Sequence, residues 1–255
     1  MGKLTFKAAA VTDAGIVRKV NEDAYICRII DAGEHYAGIF AVADGVGGLQ
    51  KGEVASLTAV SNVNQWWETL FREHYHDKTF LQQSLENVFQ LTNDDLLQFG
   101  NKHNIKLATT MSALFLYKNR YRIVHTGDSR IYVCKGGIFA KCRQLTHDHT
   151  CPVQKEANGR IIYKQVLTDC LGSKKTFLKT ITEDKIEKKD LFLICSDGIY
   201  KTLNLNTIQL FVRKYHKNPE RLCRALVEQV KKNGETDNIS VIAVKIDEQK
   251  GNERV

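Results

Sequence analysis

The chain has 255 residues, of which 43% are hydrophobic and 26% charged, and its net charge is +8. This composition excludes a disordered chain and predicts one globular domain with a sizeable core. No stretch approaches the ~20 apolar residues of a spanning helix, and the N-terminus lacks the apolar core of a secretory signal. We therefore expect a cytoplasmic protein with no membrane partner. The basic residues are spread along the chain, which indicates no nucleic-acid partner.

The seven cysteines are scattered singly, without the spacing of a zinc site or a disulfide framework, which predicts reduced thiols in the core. Cys195 lies beside candidate chemistry in FLICSDGIYK, but a tyrosine-phosphatase loop needs an arginine where Lys201 stands. Gly2 suggests N-myristoylation, yet Phe6 occupies the position where that motif has Ser or Thr. We expect neither a thiolate nucleophile nor a lipid anchor.

The first predicted elements are three β-type runs, LTFKAAAV, AYICRII and YAGIFAVA, separated by polar turns. Apolar residues then recur at helical spacing from 52 to about 76 and from 79 to about 103. These segments are predicted to form two long amphipathic helices. Trp66 and Trp67 are expected to pack on an apolar helix face rather than to form a binding platform.

The second half of the chain resumes with β-type runs, MSALFLY, YRIVHT, IYVC and LFLIC. Helical patterns follow near 207–215 and 219–232, before a last strand, ISVIAVKI. Runs of strands and runs of helices, without strict β–α alternation, predict an α+β fold with antiparallel sheets. No linker or repeat divides the chain, so we expect a single domain over 1–246 and a polar tail over 247–255.

Four apolar β-type runs stop at an aspartate beside Gly or Asn, at Asp44, Asp128, Asp197 and Asp237. Any one of them is more simply explained as a turn residue. Four of them, together with the Asn21-Glu22-Asp23 cluster, are harder to explain in that way. Strand ends can converge on one rim of a sheet pair, where carboxylates repel each other unless cations are bound between them.

These candidate ligands are oxygen donors, which favours Mg²⁺ or Mn²⁺ over zinc or copper. Gly45 would let its main-chain carbonyl approach an ion closely. Two ions ~3.5–4 Å apart can hold a shared water as hydroxide and stabilise in-line displacement at phosphorus. Arg18, just before the acidic cluster, is placed to bind the phosphate. The pattern predicts direct hydrolysis of a phosphoester.

The motifs resemble those of the protein phosphatase 2C family of metal-dependent Ser/Thr phosphatases, particularly its compact bacterial members. The resemblance runs nearly end to end, in matching order and spacing. It is carried by TDAGIVRKVNEDAY (12–25), AVADGVGG (41–48), TTMSALFL (109–116), HTGDSRIYV (125–133), LTHDHT (145–150), LTDCLG (167–172), ICSDGIYKTL (194–203) and TDNISVIAV (236–244).

The resemblance implies a four-layer αββα sandwich, in which two antiparallel sheets are flanked by helix pairs and a metal centre lies in a cleft at one end. In that family pattern, Asp44 would bridge two core Mn²⁺ or Mg²⁺ ions. Asp197 and Asp237 would bind one of the two ions, and the Gly45 carbonyl would bind the other.

The same resemblance implies the supporting residues of the centre. Glu22 and Asp23 would support the ions directly or through waters. Asp128 would join Asp197 in holding a weaker third ion, and Arg18 would bind the substrate phosphate.

The chain also departs from the family pattern. Segment 151–166 is shorter than the flap of a bacterial member, so substrate specificity does not carry over. Val46 stands where eukaryotic members have a histidine, which leaves the general acid unassigned. His147 and His149, on either side of Asp148, are interpreted as structural.

The sequence therefore predicts a monomeric phosphatase that acts on phosphoserine and phosphothreonine in proteins and opposes a bacterial Ser/Thr kinase. Two alternatives stay open. One is a noncatalytic phosphoprotein-binding module on the same fold, and the other is a dinuclear hydrolase of nucleotides or small phosphoesters. Activity toward phosphotyrosine also stays open.

Overall fold

A computed structural model of the chain describes residues 3–157 and 160–249, and two five-stranded antiparallel sheets dominate this part. The first sheet contains, in spatial order, β1 (Leu4–Asp13), β12 (Ile239–Glu248), β11 (Leu191–Cys195), β6 (Arg130–Lys135) and β7 (Lys141–Gln144). The second contains β10 (Thr180–Lys185), β5 (Arg120–Thr126), β4 (Met111–Tyr117), β3 (Tyr36–Asp44) and β2 (Asp23–Asp31). A separate hairpin is formed by β8 (Thr150–Ala157) and β9 (Arg160–Leu167).

The helices flank the two sheets. They are α1 (Gly52–Trp66), a π-helical turn (Trp67–Phe71), α2 (Arg72–His74), α3 (Lys78–His103), α4 (Asp197–Tyr200), α5 (Leu205–Tyr215) and α6 (Pro219–Lys232). Asp77, Asn204 and Asn218 cap the N-termini of α3, α5 and α6, because each side chain accepts a hydrogen bond from a main-chain N–H three residues on.

Three hydrophobic clusters hold four layers together. The central cluster lies between the sheets and includes Phe40, Leu114 and Phe192. A second cluster packs α1 and α3 on one sheet, and a third packs α5 and α6 on the other. All residues of β4 and β11 are buried, because these interior strands have a sheet on one face and helices on the other. The fold is therefore the αββα sandwich that the resemblance implies.

The eight predicted strands and the four predicted helical segments are present, but the sequence missed β7, β8, β9 and β10. β10, with the sequence TITEDK, pairs only with β5 and is largely polar, so it lacks the apolar run that identifies a buried strand. The first predicted helix contains the π-helical turn. Trp66 and Trp67 are both buried on its inner face, which confirms the packing interpretation.

The prediction that all cysteines are reduced was wrong for one pair. Cys134 and Cys142 form a disulfide between β6 and β7, where they lie directly opposite each other. The pairing could not be read from the sequence because β7 was not predicted, and without β7 the cross-strand register is unknown. Cys27, Cys151 and three buried cysteines are free thiols.

The ends of the chain fall partly outside the described residues. β12 runs through Glu248, so the first two residues of the predicted tail belong to a strand rather than to a frayed end. The tail from residue 250 onward lies outside the described residues. So does Gly2, the position considered for myristoylation. In the described part of the chain, every helix is too short or too polar to cross a bilayer.

Candidate functional site

Four aspartates that were predicted from strand ends, together with Asp23 of the predicted acidic cluster, meet at one end of the sandwich. Asp23 and Asp44 are cross-strand neighbours, at the start of β2 and the end of β3. Asp128 lies in the link between β5 and β6, which crosses from one sheet to the other. Asp197 follows β11 and Asp237 precedes β12. Both sheets therefore contribute carboxylates to the same rim.

A cleft of about 610 Å³ opens at this rim. The predicted site residues along its wall are Arg18, Asp44, Gly45, Asp128, Asp197 and Asp237. The β8–β9 hairpin, which corresponds to the short flap segment of the sequence, contributes Thr150 and residues 164–167 to the opposite side. The structure thus brings the carboxylates, the predicted phosphate-binding arginine and the flap to one cavity.

Hydroxyl groups join the two sheets beneath the carboxylates. Ser196, at the end of β11, donates a hydrogen bond to Asp23 Oδ2 at 2.8 Å. Thr110 Oγ1 accepts from the main-chain N–H of Asp44 at 3.1 Å and lies 2.8 Å from Ser129 Oγ. These contacts are buried between the layers, so they fix the positions of the strand ends relative to each other.

Glu22 and Gly45 are joined through the main chain. The Gly45 N–H donates to the Glu22 carbonyl at 3.0 Å, and the Glu22 N–H donates to Asn238 Oδ1 at 2.9 Å. A Cβ at position 45 would lie 2.5 Å from the Gly52 carbonyl oxygen and 2.8 Å from that of Glu22. Only glycine therefore fits at position 45. Glu22 adjoins Gly45 through the main chain, and its role in supporting the centre stays a prediction.

Burial and mutual repulsion dominate the electrostatics of the aspartates. Burial, opposed by the serine hydroxyls and reinforced by Asp197, raises the pKa of Asp23 to about 7. Burial and the neighbouring carboxylates raise the pKa of Asp44 well above its usual value. Burial, with the Asp197 charge, raises the pKa of Asp128 to about 6. The cluster is thus electrostatically costly when it is ionised without counter-charges.

Two cations of the protein engage the exposed side of the cluster. Arg18 NH2 lies 2.9 Å from Asp237 Oδ1. Lys201 Nζ pairs with Asp197 Oδ2 and lies 3.5 Å from Asp237 Oδ2. Although burial lowers the pKa of Lys201, the Asp197 and Asp237 carboxylates raise it more, so it lies above its usual value. Lys201 was not predicted as a site residue.

The carboxylates retain unused acceptors for a metal ion. Asp23 Oδ1 and Asp197 Oδ1 are buried without a hydrogen-bond partner, a condition that ordinarily indicates an ion or water. Among residues 3–157 and 160–249, no three carboxyl, imidazole or thiol groups already converge as a metal-binding set. The all-oxygen donors, free buried oxygens and raised pKa values fit hard divalent cations such as Mn²⁺ or Mg²⁺.

A second pair of charged residues, missed in the sequence, supports the cleft. Arg130 binds Asp148 through Nε and NH2, at 3.0 and 2.6 Å, and its guanidinium stacks 3.5 Å from the Tyr200 ring centroid. The Tyr200 hydroxyl donates to the Asp128 carbonyl at 2.9 Å. Arg130 follows Asp128 in the GDSR turn, so its proximity to the site could have been read from the motif, but its partner could not.

The histidines and the cysteine beside the motifs have structural surroundings. His149 is buried and accepts a hydrogen bond from the Gly127 N–H at 3.3 Å, and the His147 carbonyl contacts His125 Nε2 at 3.0 Å. Burial raises the pKa of Cys195 to about 12, which makes this thiol a poor nucleophile. These contacts agree with the structural interpretation of the histidines and with the exclusion of a thiolate nucleophile.

Known protein phosphatases are similar to this chain in sequence. The chain is 27% identical over 250 residues to "Probable protein phosphatase 2C 71" of Arabidopsis thaliana, with 91% of the chain matching 54% of that relative's length. It is 25% identical over 251 residues to "Protein phosphatase PhpP" of Streptococcus pneumoniae serotype 2, with 94% of the chain matching 97% of that protein.

A solved structure has the same fold. The catalytic domain of the serine threonine protein phosphatase PstP, in complex with 2 manganese ions, superposes with a TM-score of 0.75 at 23% identity. The superposition covers 96% of this chain and all of that one.

A family model described as protein phosphatase 2C matches residues 17–232. This region includes Arg18 and four of the five aspartates at the rim, all except Asp237. Because the match covers most of the chain, and the four layers and the acidic rim are those that the resemblance implies, the chain belongs to the protein phosphatase 2C family.

Proposed function

We propose that the chain is a protein serine/threonine phosphatase whose acidic rim binds two Mn²⁺ or Mg²⁺ ions. The observation that carries the proposal is the convergence of Asp44, Asp128, Asp197 and Asp237 on one cleft, with Asp23 buried beside Asp44. One carboxylate oxygen of Asp23 and one of Asp197 are buried without a hydrogen-bond partner. Relatives that are named as serine/threonine phosphatases support the substrate class.

The carboxylates are the proposed ligands of this centre. Asp44 would help to hold both ions, Asp197 and Asp237 would hold one, and the Gly45 carbonyl would hold the other, with Glu22 and Asp23 in support. When bound, the ions would acidify a water so that it can attack phosphorus at neutral pH, and they would neutralise phosphate charge.

The residues around the centre would bind and orient the substrate. Arg18, 40% exposed and beside Asp237, is proposed to hold non-bridging phosphate oxygens with its planar guanidinium. A Cβ at Gly47 would lie 3.4 Å from Arg18 NH2, so the loop after Asp44 adjoins this guanidinium. Lys164 of the flap hairpin also lines the cleft and gives its outer wall positive charge.

The substrate class is tested by comparing substrates at equal concentration. The purified chain with Mn²⁺ should release phosphate from a phosphothreonine peptide and should turn over a nucleoside triphosphate much more slowly. Faster turnover of the nucleotide would favour the small-phosphoester alternative. Metal-dependent binding of the phosphopeptide without phosphate release would favour the noncatalytic binding module. Phosphate release from a phosphotyrosine peptide, measured in parallel, shows how strongly the rate depends on the side-chain oxygen that leaves.

The biological setting is proposed by analogy with the family. Phosphorylated proteins would be the partners, and a Ser/Thr kinase would catalyse the opposing reaction. A monomer in the cytoplasm stays the prediction of the sequence.

The gain in melting temperature, Tm, that Mn²⁺ gives is expected to be larger at about pH 8 than at about pH 5.5. Asp23 and Asp128 have folded-state pKa values of about 7 and about 6, above their usual value of 3.8. Above those values both are ionised in the metal-free fold and reduce its stability. As the pH falls below them toward 3.8, protons bind, this loss of stability shrinks, and protons compete with the metal.

Differential scanning fluorimetry of the metal-free and Mn²⁺-loaded chain at several pH values checks this expectation. A gain in Tm that stays constant or grows as the pH falls would contradict it.

A further inference from the structure

We propose that Lys201 is a built-in cation that takes the place of a third metal ion beside Asp128 and Asp197, so that the centre holds two ions rather than three. The inference rests on the proposed function only in that divalent ions bind at the acidic rim. It replaces the third, weaker ion of the sequence prediction with a side chain of the protein.

The position of Lys201 follows from the short helix α4. Asp197 is the first residue of α4, and Lys201 follows four residues later, so the two side chains lie on the same face. Lys201 Nζ pairs with Asp197 Oδ2 and lies 3.5 Å from Asp237 Oδ2. One ammonium group therefore bridges two carboxylates of the proposed centre.

The same helical turn contacts Asp128 through the residue before Lys201. Tyr200, the residue before Lys201, donates from its hydroxyl to the Asp128 carbonyl oxygen at 2.9 Å. The positive charge of Lys201 acts on the carboxylates of Asp128 and Asp44 as well as on its two direct partners. The ammonium thus supplies positive charge at the place where Asp128 and Asp197 would otherwise share an ion.

The two carboxylate oxygens of Asp197 have different surroundings, so Lys201 and a core metal ion can each use one of them. Oδ2 is engaged by Lys201, whereas Oδ1 is buried and has no partner. Asp23 Oδ1 is also buried and without a partner. Asp23 and Asp197 therefore keep free oxygens for the core ions while Lys201 stays on Asp197 Oδ2. A divalent ion at Asp128 would lie close to the ammonium and be repelled by it.

Counting bound metal tests the inference without any turnover. Metal-free chain is dialysed to equilibrium against increasing MnCl₂, and bound manganese is measured by atomic emission. We expect two ions for the unchanged chain and a third, weaker ion for Lys201→Asn. Removing the ammonium should raise the affinity of the third site at least about tenfold. Lys201→Asp, which adds a carboxylate, should bind the third ion more tightly still and serves as a second variant if Lys201→Asn fails to fold.

The matched control is Lys135→Asn. Lys135 lies at the far end of β6 and pairs with Glu187 at 2.6 Å, so this change removes the same charge away from the rim and should leave two bound ions. Three ions on the unchanged chain, or only two on both Lys201 variants, would overturn the inference. A chain that binds no Mn²⁺ at all would overturn the inference together with the proposed function. If the expected numbers of bound Mn²⁺ ions are found but no phosphopeptide releases phosphate, the proposed function alone is overturned.

Discussion

Asp44→Asn is expected to lower Mn²⁺-dependent phosphate release from a phosphothreonine peptide by about 1000-fold or more, because several kcal/mol of metal-derived stabilisation depends on this carboxylate. Asparagine has nearly the same shape. The main-chain hydrogen bonds of residue 44 with Thr109 and Thr110 do not involve its side chain, so the fold should survive.

The same variant should melt at a higher temperature than the unchanged chain when both are free of metal. Asp44 is surrounded by Asp23, Asp197, Asp128 and Asp237, and a neutral side chain removes their mutual repulsion. Lost activity together with gained metal-free stability distinguishes a functional carboxylate from a structural one.

Asp31→Asn is the matched control for Asp44→Asn. Asp31 is the last residue of β2, at the end of the β2–β3 pair far from Asp44. Its side chain is exposed and pairs with Lys3. The control should keep its activity and its response to Mn²⁺. Comparable rates for the Asp44 and Asp31 variants would contradict the assignment of Asp44 to the metal centre.

Gly198→Ala is expected to destabilise the fold by about 3 kcal/mol, as severe overpacking does. A Cβ at this position would lie 2.1 Å from the Asn238 main-chain carbonyl oxygen, a contact that requires α4 or the start of β12 to move. For a domain of this size, that loss corresponds to a fall in Tm of about 10 °C. Phosphate release should fall as well, since Asp197 and Asp237 adjoin the two displaced residues.

Asn238 explains why the displacement would spread. Its side-chain amide donates to the carbonyls of Ala14 and Val20, both at 3.0 Å, and its Oδ1 accepts from the Glu22 N–H. Asn238 therefore holds the loop that carries Arg18. Moving its main chain would disturb the Arg18 side of the cleft together with the proposed metal ligands.

Gly47→Ala is the control for Gly198→Ala, because its added Cβ would meet only the flexible end of Arg18, at 3.4 Å. Thermal denaturation of the two metal-free variants checks the prediction. Equal melting temperatures would show that α4 and β12 tolerate the added methyl group.

The acidic rim was the part of the site that the sequence predicted best. Asp44, Asp128, Asp197 and Asp237 each stand at one end of an apolar run, and an apolar run predicts a strand without any knowledge of its partner. The sandwich then requires only that these strands belong to two packed sheets, and the matching motif order supplied that information.

The partners of charged side chains could not be read in the same way. Lys201 lies four residues after Asp197, a spacing that would have indicated contact if α4 had been predicted, but a helix of four residues has no amphipathic pattern. Arg130 and Asp148 are 18 residues apart, and their contact depends on how the chain returns after β7. The Cys134–Cys142 disulfide depends on the same unpredicted strand.

The rate of phosphate release from a phosphothreonine peptide, measured against the concentration of Mn²⁺, tests the central claim most directly. The account predicts no release in EDTA, full restoration by Mn²⁺, and a dependence on Mn²⁺ steeper than that of a single bound ion. Undiminished release in EDTA, or no release from Mn²⁺-loaded, folded protein that binds the phosphopeptide, would contradict it.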